Sequence, residues 1–121
     1  MSLAKDVLVK QITTANATPT NVTAAAVTVG DDREATFLLH AVARSGANVK
    51  GFHSWGVAKR PAAGALAAVG TILAMVTAQG DTALAAAIIT VVASGNDLVP
   101  QVTGIAATIT WDVWFEVYRK P

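Results

Sequence analysis

The sequence predicts an all-β protein: a single antiparallel β-sandwich, jelly-roll-like, of about seven to nine short strands behind an extended N-terminal arm. Three observations carry that prediction. From Ile109 to Tyr118 the chain alternates strictly, with Ile109, Trp111, Val113, Phe115 and Val117 falling on one face, because successive side chains of a strand point to opposite sides. Strand-like runs recur about every ten residues with turn signals between them, the spacing of sandwiches and barrels. A Gly/Asn connection, Ser45-Gly46-Ala47-Asn48, separates two such runs and reads as a hairpin turn.

Met1 to Thr23 forms the arm. It carries a strand-like run, Val7–Ile12, then a Thr/Ala/Asn stretch around Pro19 that suits extended chain and resists helix. The sandwich domain, 24–121, opens with a strand at Ala24–Val29 and a polar turn at Gly30–Arg33. Glu34–Arg44 and Val49–Lys59 follow as the hairpin. Its turn centre sets Val42 opposite Gly51, His40 opposite His53 and Leu38 opposite Trp55. Pro61–Ala67 reads as a loop and Ala68–Ala78 as a buried strand, although alanine propensity offers helix at Ala62–Ala78 or Thr82–Ile89 as the weaker alternative. After the turn Gln79–Asp81, three strands fill Leu84–Tyr118, broken by Ser94-Gly95-Asn96-Asp97 and by Thr103-Gly104. Pro100 cannot donate to a ladder, which calls for an edge position or a bulge.

At 121 residues the chain makes one domain. Its apolar fraction is 53%, but much of that is alanine, so the core should be thin and self-association a natural source of further stability. Only 14% of residues are charged and the formal net charge is +1. The basic residues are scattered and give no footprint for nucleic acid. No cysteine is present, which excludes disulfides, thiolate metal sites and a cysteine nucleophile. Asp6 interrupts the first residues, so they do not read as a signal peptide. The uncharged stretch 61–80 is diluted by Gly, Thr and Ala, which oppose membrane insertion, and no membrane partner is expected.

Catalysis finds no foothold: there is no G-x-S-x-G context for a serine and no Gly-rich phosphate loop. His40 and His53 face each other in the hairpin register, yet a metal centre needs three or four protein ligands, so they read as polar residues of the outer face. Asp31, Asp32 and Glu34 lack the alternating pattern of a calcium loop and read as a solvated turn. No cofactor is expected. Trp111 belongs with the apolar face. Trp114 lies opposite it with Asp112, Glu116 and Tyr118, where an outward indole beside a phenol can anchor a partner, cover the sheet under the arm, or stack on a sugar. The candidate partner interface is therefore Trp114, Tyr118 and Trp55 with Val7, Val9 and Pro19 of the arm.

The stretch Thr13-Thr14-Ala15-Asn16-Ala17-Thr18-Pro19-Thr20, the strand end Ala41-Val42-Ala43-Arg44 and the run from Val91 to Trp111, with Ser94-Gly95-Asn96 and Val102-Thr103-Gly104, occur in this order. Together they resemble small β-sandwich proteins of the structural regions of tailed bacteriophages and prophages. Where that pattern has a polar, Arg-bearing strand after the first hairpin turn, this chain has Gly51-Phe52-His53-Ser54-Trp55-Gly56-Val57. The resemblance implies a non-enzymatic virion component, made in the host bacterial cytoplasm. A free-standing sandwich with a short arm fits a capsid-decorating (cement) protein on the capsid surface, a homotrimer whose arm crosses a neighbour or the major capsid protein. The alternative is a tail-associated or fibre module that binds a receptor glycan.

Overall fold

The computed structural model describes residues 4–68, 73–74 and 79–119. Among these residues the structure is two antiparallel sheets packed face to face, an all-β sandwich. The large sheet holds the long strands β1 (Ala4–Thr14), β4 (Arg33–Ser45), β5 (Asn48–Arg60) and β11 (Ile109–Arg119), in the order β1-β11-β4-β5. The two-residue strands β6 (Ala67–Ala68), β7 (Leu73–Ala74) and β8 (Gln79–Gly80) pair in turn with β5 along its other edge. In the small sheet, β10 (Asp97–Thr103) pairs with β9 (Ile88–Ser94) on one side and with the short β2 (Thr20–Asn21) and β3 (Val27–Thr28) on the other. The adjacency of β1 and β11 is the jelly-roll-like feature of this order.

The alternation that identified β11 is seen directly: Ile109, Trp111, Val113, Phe115 and Val117 are all buried. They meet Ala35, Phe37, Leu39, Ala41 and Ala43 of β4, and the small sheet covers both with Val91, Leu98 and Val102. Phe37 and Phe115 lie 5.9 Å apart between ring centroids, and Phe52 and Trp111 5.7 Å. The Trp111 indole N–H donates to Thr14 Oγ1 at 3.0 Å, satisfying the one polar atom that this ring brings into the core. The alanines are part of the same core: Ala25, Ala35, Ala41, Ala43, Ala58 and Ala87 are buried.

The hairpin register is as expected, with His40 opposite His53 and Leu38 opposite Trp55. Gly46 and Gly95 take positive φ at the two tight turns (59° and 61°), a conformation that costs glycine nothing. Other expectations are corrected. Among the described residues the strands are not uniformly short: four run 11 to 13 residues and five have two. Ala24–Val29 is a 3-10 turn (Thr23–Ala25) followed by β3, and Leu84 belongs to a second 3-10 turn (Thr82–Leu84) rather than to a strand. Pro100 sits in the central strand of its sheet. Its side of β10 faces the gap between β3, which pairs with Asp97 and Leu98, and β2, which pairs with Gln101 and Val102. There the Val22 N–H donates to the Pro100 carbonyl at 2.8 Å, so the missing proline donor is not needed. The buried strand expected over 68–78 lies in part outside the described residues. No helix among the described residues is long and apolar enough to cross a membrane.

The largest correction concerns the arm. Residues 4–14 are an edge strand of the large sheet, paired with β11 from Ala4–Arg119 to Thr14–Ile109 without a break. Arg119 Nε donates to Asp6 Oδ2 at 2.8 Å across the same pair. Leu8 and Ile12 alternate toward the core while Val7 and Val9 face out, so the period of two that governs β11 governs β1 as well. Only 15–19 remains as an exposed connection to the small sheet.

Candidate functional site

One face of the large sheet is covered by the small sheet; among the described residues nothing packs across the other, the open face. Strand alternation assigns to the open face every residue one position out of phase with the core. The cross-strand registers then arrange them in rows. Val9, Trp114, His40 and His53 form one row; Val7, Glu116, Leu38 and Trp55 the next; Lys5, Tyr118, Thr36 and Val57 a third. On the other side of the first row lie Gln11, Asp112, Val42 and Gly51, with Gln79 beyond. Side chains on adjacent strands within a row lie close enough to touch.

Water-facing sheets ordinarily alternate apolar inward and polar outward. This one does not. Val9 is 66% exposed, Trp114 49%, Val7 44%, Val42 43% and Trp55 39%. Five of the six interface residues expected from sequence, Val7, Val9, Trp55, Trp114 and Tyr118, thus share a single face. The sixth, Pro19, does not join them: it is exposed just before β2, at the small sheet. Sequence reasoning passed over Leu38, Val42 and Val57, although the hairpin register already set Leu38 beside Trp55, and strand parity would have added the other two.

A shallow depression of about 480 Å³ lies along the first row, bounded by Val9, His40, Val42, His53, Asp112 and Trp114. Gly51 supplies no side chain there, which opens its floor. A second hollow of about 300 Å³ lies between Trp55, Leu38 and Tyr118. The His40 and His53 rings lie in contact, 3.9 Å apart between centroids and tilted by 44°, and the His40 ring centroid is 6.0 Å from that of Trp114. Partial burial, then the neighbouring His53, lower the His40 pKa from its ordinary value against an opposing pull from Glu116. Both effects favour a neutral ring.

A polar cluster closes one end of the face. The Tyr118 hydroxyl donates to Glu116, and Lys5 Nζ stands 3.3 Å from the same carboxylate and 5.6 Å from the centre of the Tyr118 ring. The hydrogen bond from Tyr118 and then Lys5 hold the Glu116 carboxyl below its usual range, while the bond to Glu116 raises Tyr118. At the other end Gln11 Nε2 donates to Asp112 at 2.9 Å. No cluster of three or more His, Cys, Asp or Glu able to hold a metal occurs among the described residues. Asp31 of the acidic turn is engaged structurally: its Oδ1 accepts the Ala63 N–H at 2.9 Å and lies 4.0 Å from Arg60 Nε.

No protein-family model and no curated protein matches the chain. Among solved structures it is similar to one of phage origin. The crystal structure of the Acinetobacter baumannii phage AM24 tailspike protein aligns with a TM-score of 0.44 at 11% identity, over 96% of this chain and 26% of the tailspike chain. The chain therefore spans about a quarter of that protein's length.

Proposed function

We propose that the protein is a non-enzymatic structural component of a tailed-phage virion that docks through the open face of its large sheet, as a cement protein seated on the major capsid protein. The observation that supports this reading is the apolar, aromatic character of that face. Contiguous exposed apolar surface rimmed by polar groups marks an interaction site, and indole rings beside shallow hollows are the commonest energetic anchors of interfaces. Trp114 and Trp55 occupy neighbouring rows, with Lys5 and Tyr118 at one rim, where they engage Glu116 of the Trp55 row, and Gln11 and Asp112 at the other. A rigid sheet that offers its contacts preformed loses little freedom on docking, which suits reinforcement of a shell. The arm-mediated contact expected from the sequence gives way to face-mediated contact, because residues 4–14 are engaged in the fold.

The test is re-addition of purified protein to capsids stripped of it. Trp114→Ser and Trp55→Ser should each weaken capsid binding by about 30-fold or more, the effect of losing an anchor residue, with the unfolding midpoint little changed. Undiminished capsid binding by both variants would refute the docking face. A tail-associated, glycan-binding role is the second reading, favoured by the depression where Trp114 borders His40, His53 and Asp112. An indole face beside polar groups is suited to sugar stacking. Host surface polysaccharide that quenches tryptophan fluorescence in the native protein but not in Trp114→Ala would move the assignment there.

A further inference from the structure

The long edge of β1 is the feature that neither the core nor the docking face accounts for. One side of this strand is bonded to β11 along all 11 residues; nothing among the described residues pairs with the other side. Open edges present a row of backbone donors and acceptors, and native chains usually interrupt them with proline, a bulge or a short length. β1 has no proline, no glycine and no change of register. Its defence is charge alone: Lys5 on the open face, and Asp6 and Lys10 on the alternate positions.

Those charges select a partner. When a strand pairs antiparallel with a copy of itself about a two-fold axis normal to the sheet, opposed residues share a face, so only alternate registers are allowed. Centring the axis on Val7 sets Lys5 against Val9 and Asp6 against Leu8. Centring it on Val9 sets Lys10 against Leu8 and Asp6 against Ile12. Centring it on Leu8 sets Val7 against Val9, Asp6 against Lys10, Lys5 against Gln11, Ala4 against Ile12 and Leu8 against itself. Of the three, the last alone matches valine with valine and acid with base, and it opposes no like charges.

We infer that the β1 edge is a homodimer interface in which two copies pair antiparallel about Leu8. The large sheets then run on as one, and the two open faces become a single surface with Val7 and Val9, 44% and 66% exposed in the monomer, at its seam. Asp6, bonded to Arg119 within its own chain, gains the second copy's Lys10 as another cation. An antiparallel strand pair is two-fold, so this assembly replaces the homotrimer expected from the sequence. One pair of strands buries less than a standard interface, so the dimer is concentration-dependent in solution. The inference rests on the edge and requires no capsid, so it stands or falls separately from the docking reading.

Two single-cysteine variants test it, since the native chain has no cysteine. Val7→Cys and Val9→Cys, mixed and mildly oxidised at high protein concentration, should give a disulfide-linked heterodimer. Each variant oxidised alone should give at least 10-fold less, because residue 7 faces residue 9 and not itself. Both sites are exposed, and circular dichroism will show whether each variant folds. Sedimentation of the unmodified protein should show a monomer–dimer equilibrium, lost in Val9→Lys. Crosslinking of either variant alone as readily as the mixture, a monomer at every concentration, or a trimer would overturn the proposal.

Discussion

Gly56 lies directly opposite Phe37, whose ring packs over it. A Cβ placed on Gly56 would stand 2.5 Å from Phe37 Cζ and 3.1 Å from both Cε atoms, where comfortable carbon contacts are about 3.5–4.0 Å. The ring would have to retreat by roughly 1 Å. It has little room to do so: Phe37 is 2% exposed, and Phe115 bounds it at 5.9 Å. Overpacking of this kind costs about 1–3 kcal/mol. Against it, replacing glycine by alanine stabilises by about 0.4–1 kcal/mol through the unfolded chain. The strain term is larger, so Gly56→Ala should destabilise by about 1–2 kcal/mol. Phe37→Leu removes the clashing atoms and leaves a space for the new methyl group. The double variant should therefore be at least about 1 kcal/mol more stable than the sum of the single changes. Urea unfolding of the four proteins at one fixed concentration measures this coupling. Additivity within about 0.5 kcal/mol, or a stabilised Gly56→Ala, would show that the ring does not lean on the glycine and would refute the reasoning.

Two further expectations concern polar groups. Lys50 is buried, and its ammonium donates to the carbonyls of Ala85 and Ala87 at 2.9 and 2.8 Å. Lys50→Met leaves the buried Ala87 carbonyl without this donor, at about 1–3 kcal/mol. Hydrogen exchange should then accelerate at 82–87 well beyond any change in β4; unchanged protection there would show that the tether is idle. His40 titrates below its unfolded value in the folded protein because of burial and then His53. Its neutral form therefore contributes stability that is complete above about pH 6.5 and is lost as pH falls through the lower folded value. Thermal midpoints should drop on acidification through that window, and His40→Gln should flatten this part of the profile. An unaltered profile would exclude His40 as its source.

Much of the large sheet is legible in the sequence because its signals are local. The strict alternation of β11 and the Gly46 turn that registers β4 on β5 need no knowledge of distant partners. The small sheet is less so: β2 and β3 are two-residue pairings on either side of a 3-10 turn, and no periodicity can arise over two residues. In sequence β1 resembles an arm because Thr13–Thr23 dominates its neighbourhood, while the alternation of Leu8 and Ile12 with Val7 and Val9 is present but short. Lys50 was passed over because a lysine in a strand ordinarily points to water; its burial depends on carbonyls 35 and 37 residues away. The candidate face was legible as residues and not as a place. Trp114, Tyr118 and Trp55 stand out one by one, and the hairpin register sets Leu38 beside Trp55, but the meeting of the β1, β11 and β5 residues on one face follows only from the β1–β11–β4–β5 order.

That order has a consequence for how the chain is made. β11 lies between β1 and β4, yet it is synthesised after both, separated from β4 in the chain by β5 to β10. Until it emerges from the ribosome, β1 has no neighbour and the β4–β5 hairpin has one bare flank, so the nascent chain carries two unsatisfied strand borders. The keystone is delivered last. Folding should accordingly be slow and all-or-none, governed by contacts about a hundred residues apart in sequence, and a chain that stops short of Ile109 should be prey to aggregation and proteolysis instead of forming a smaller domain.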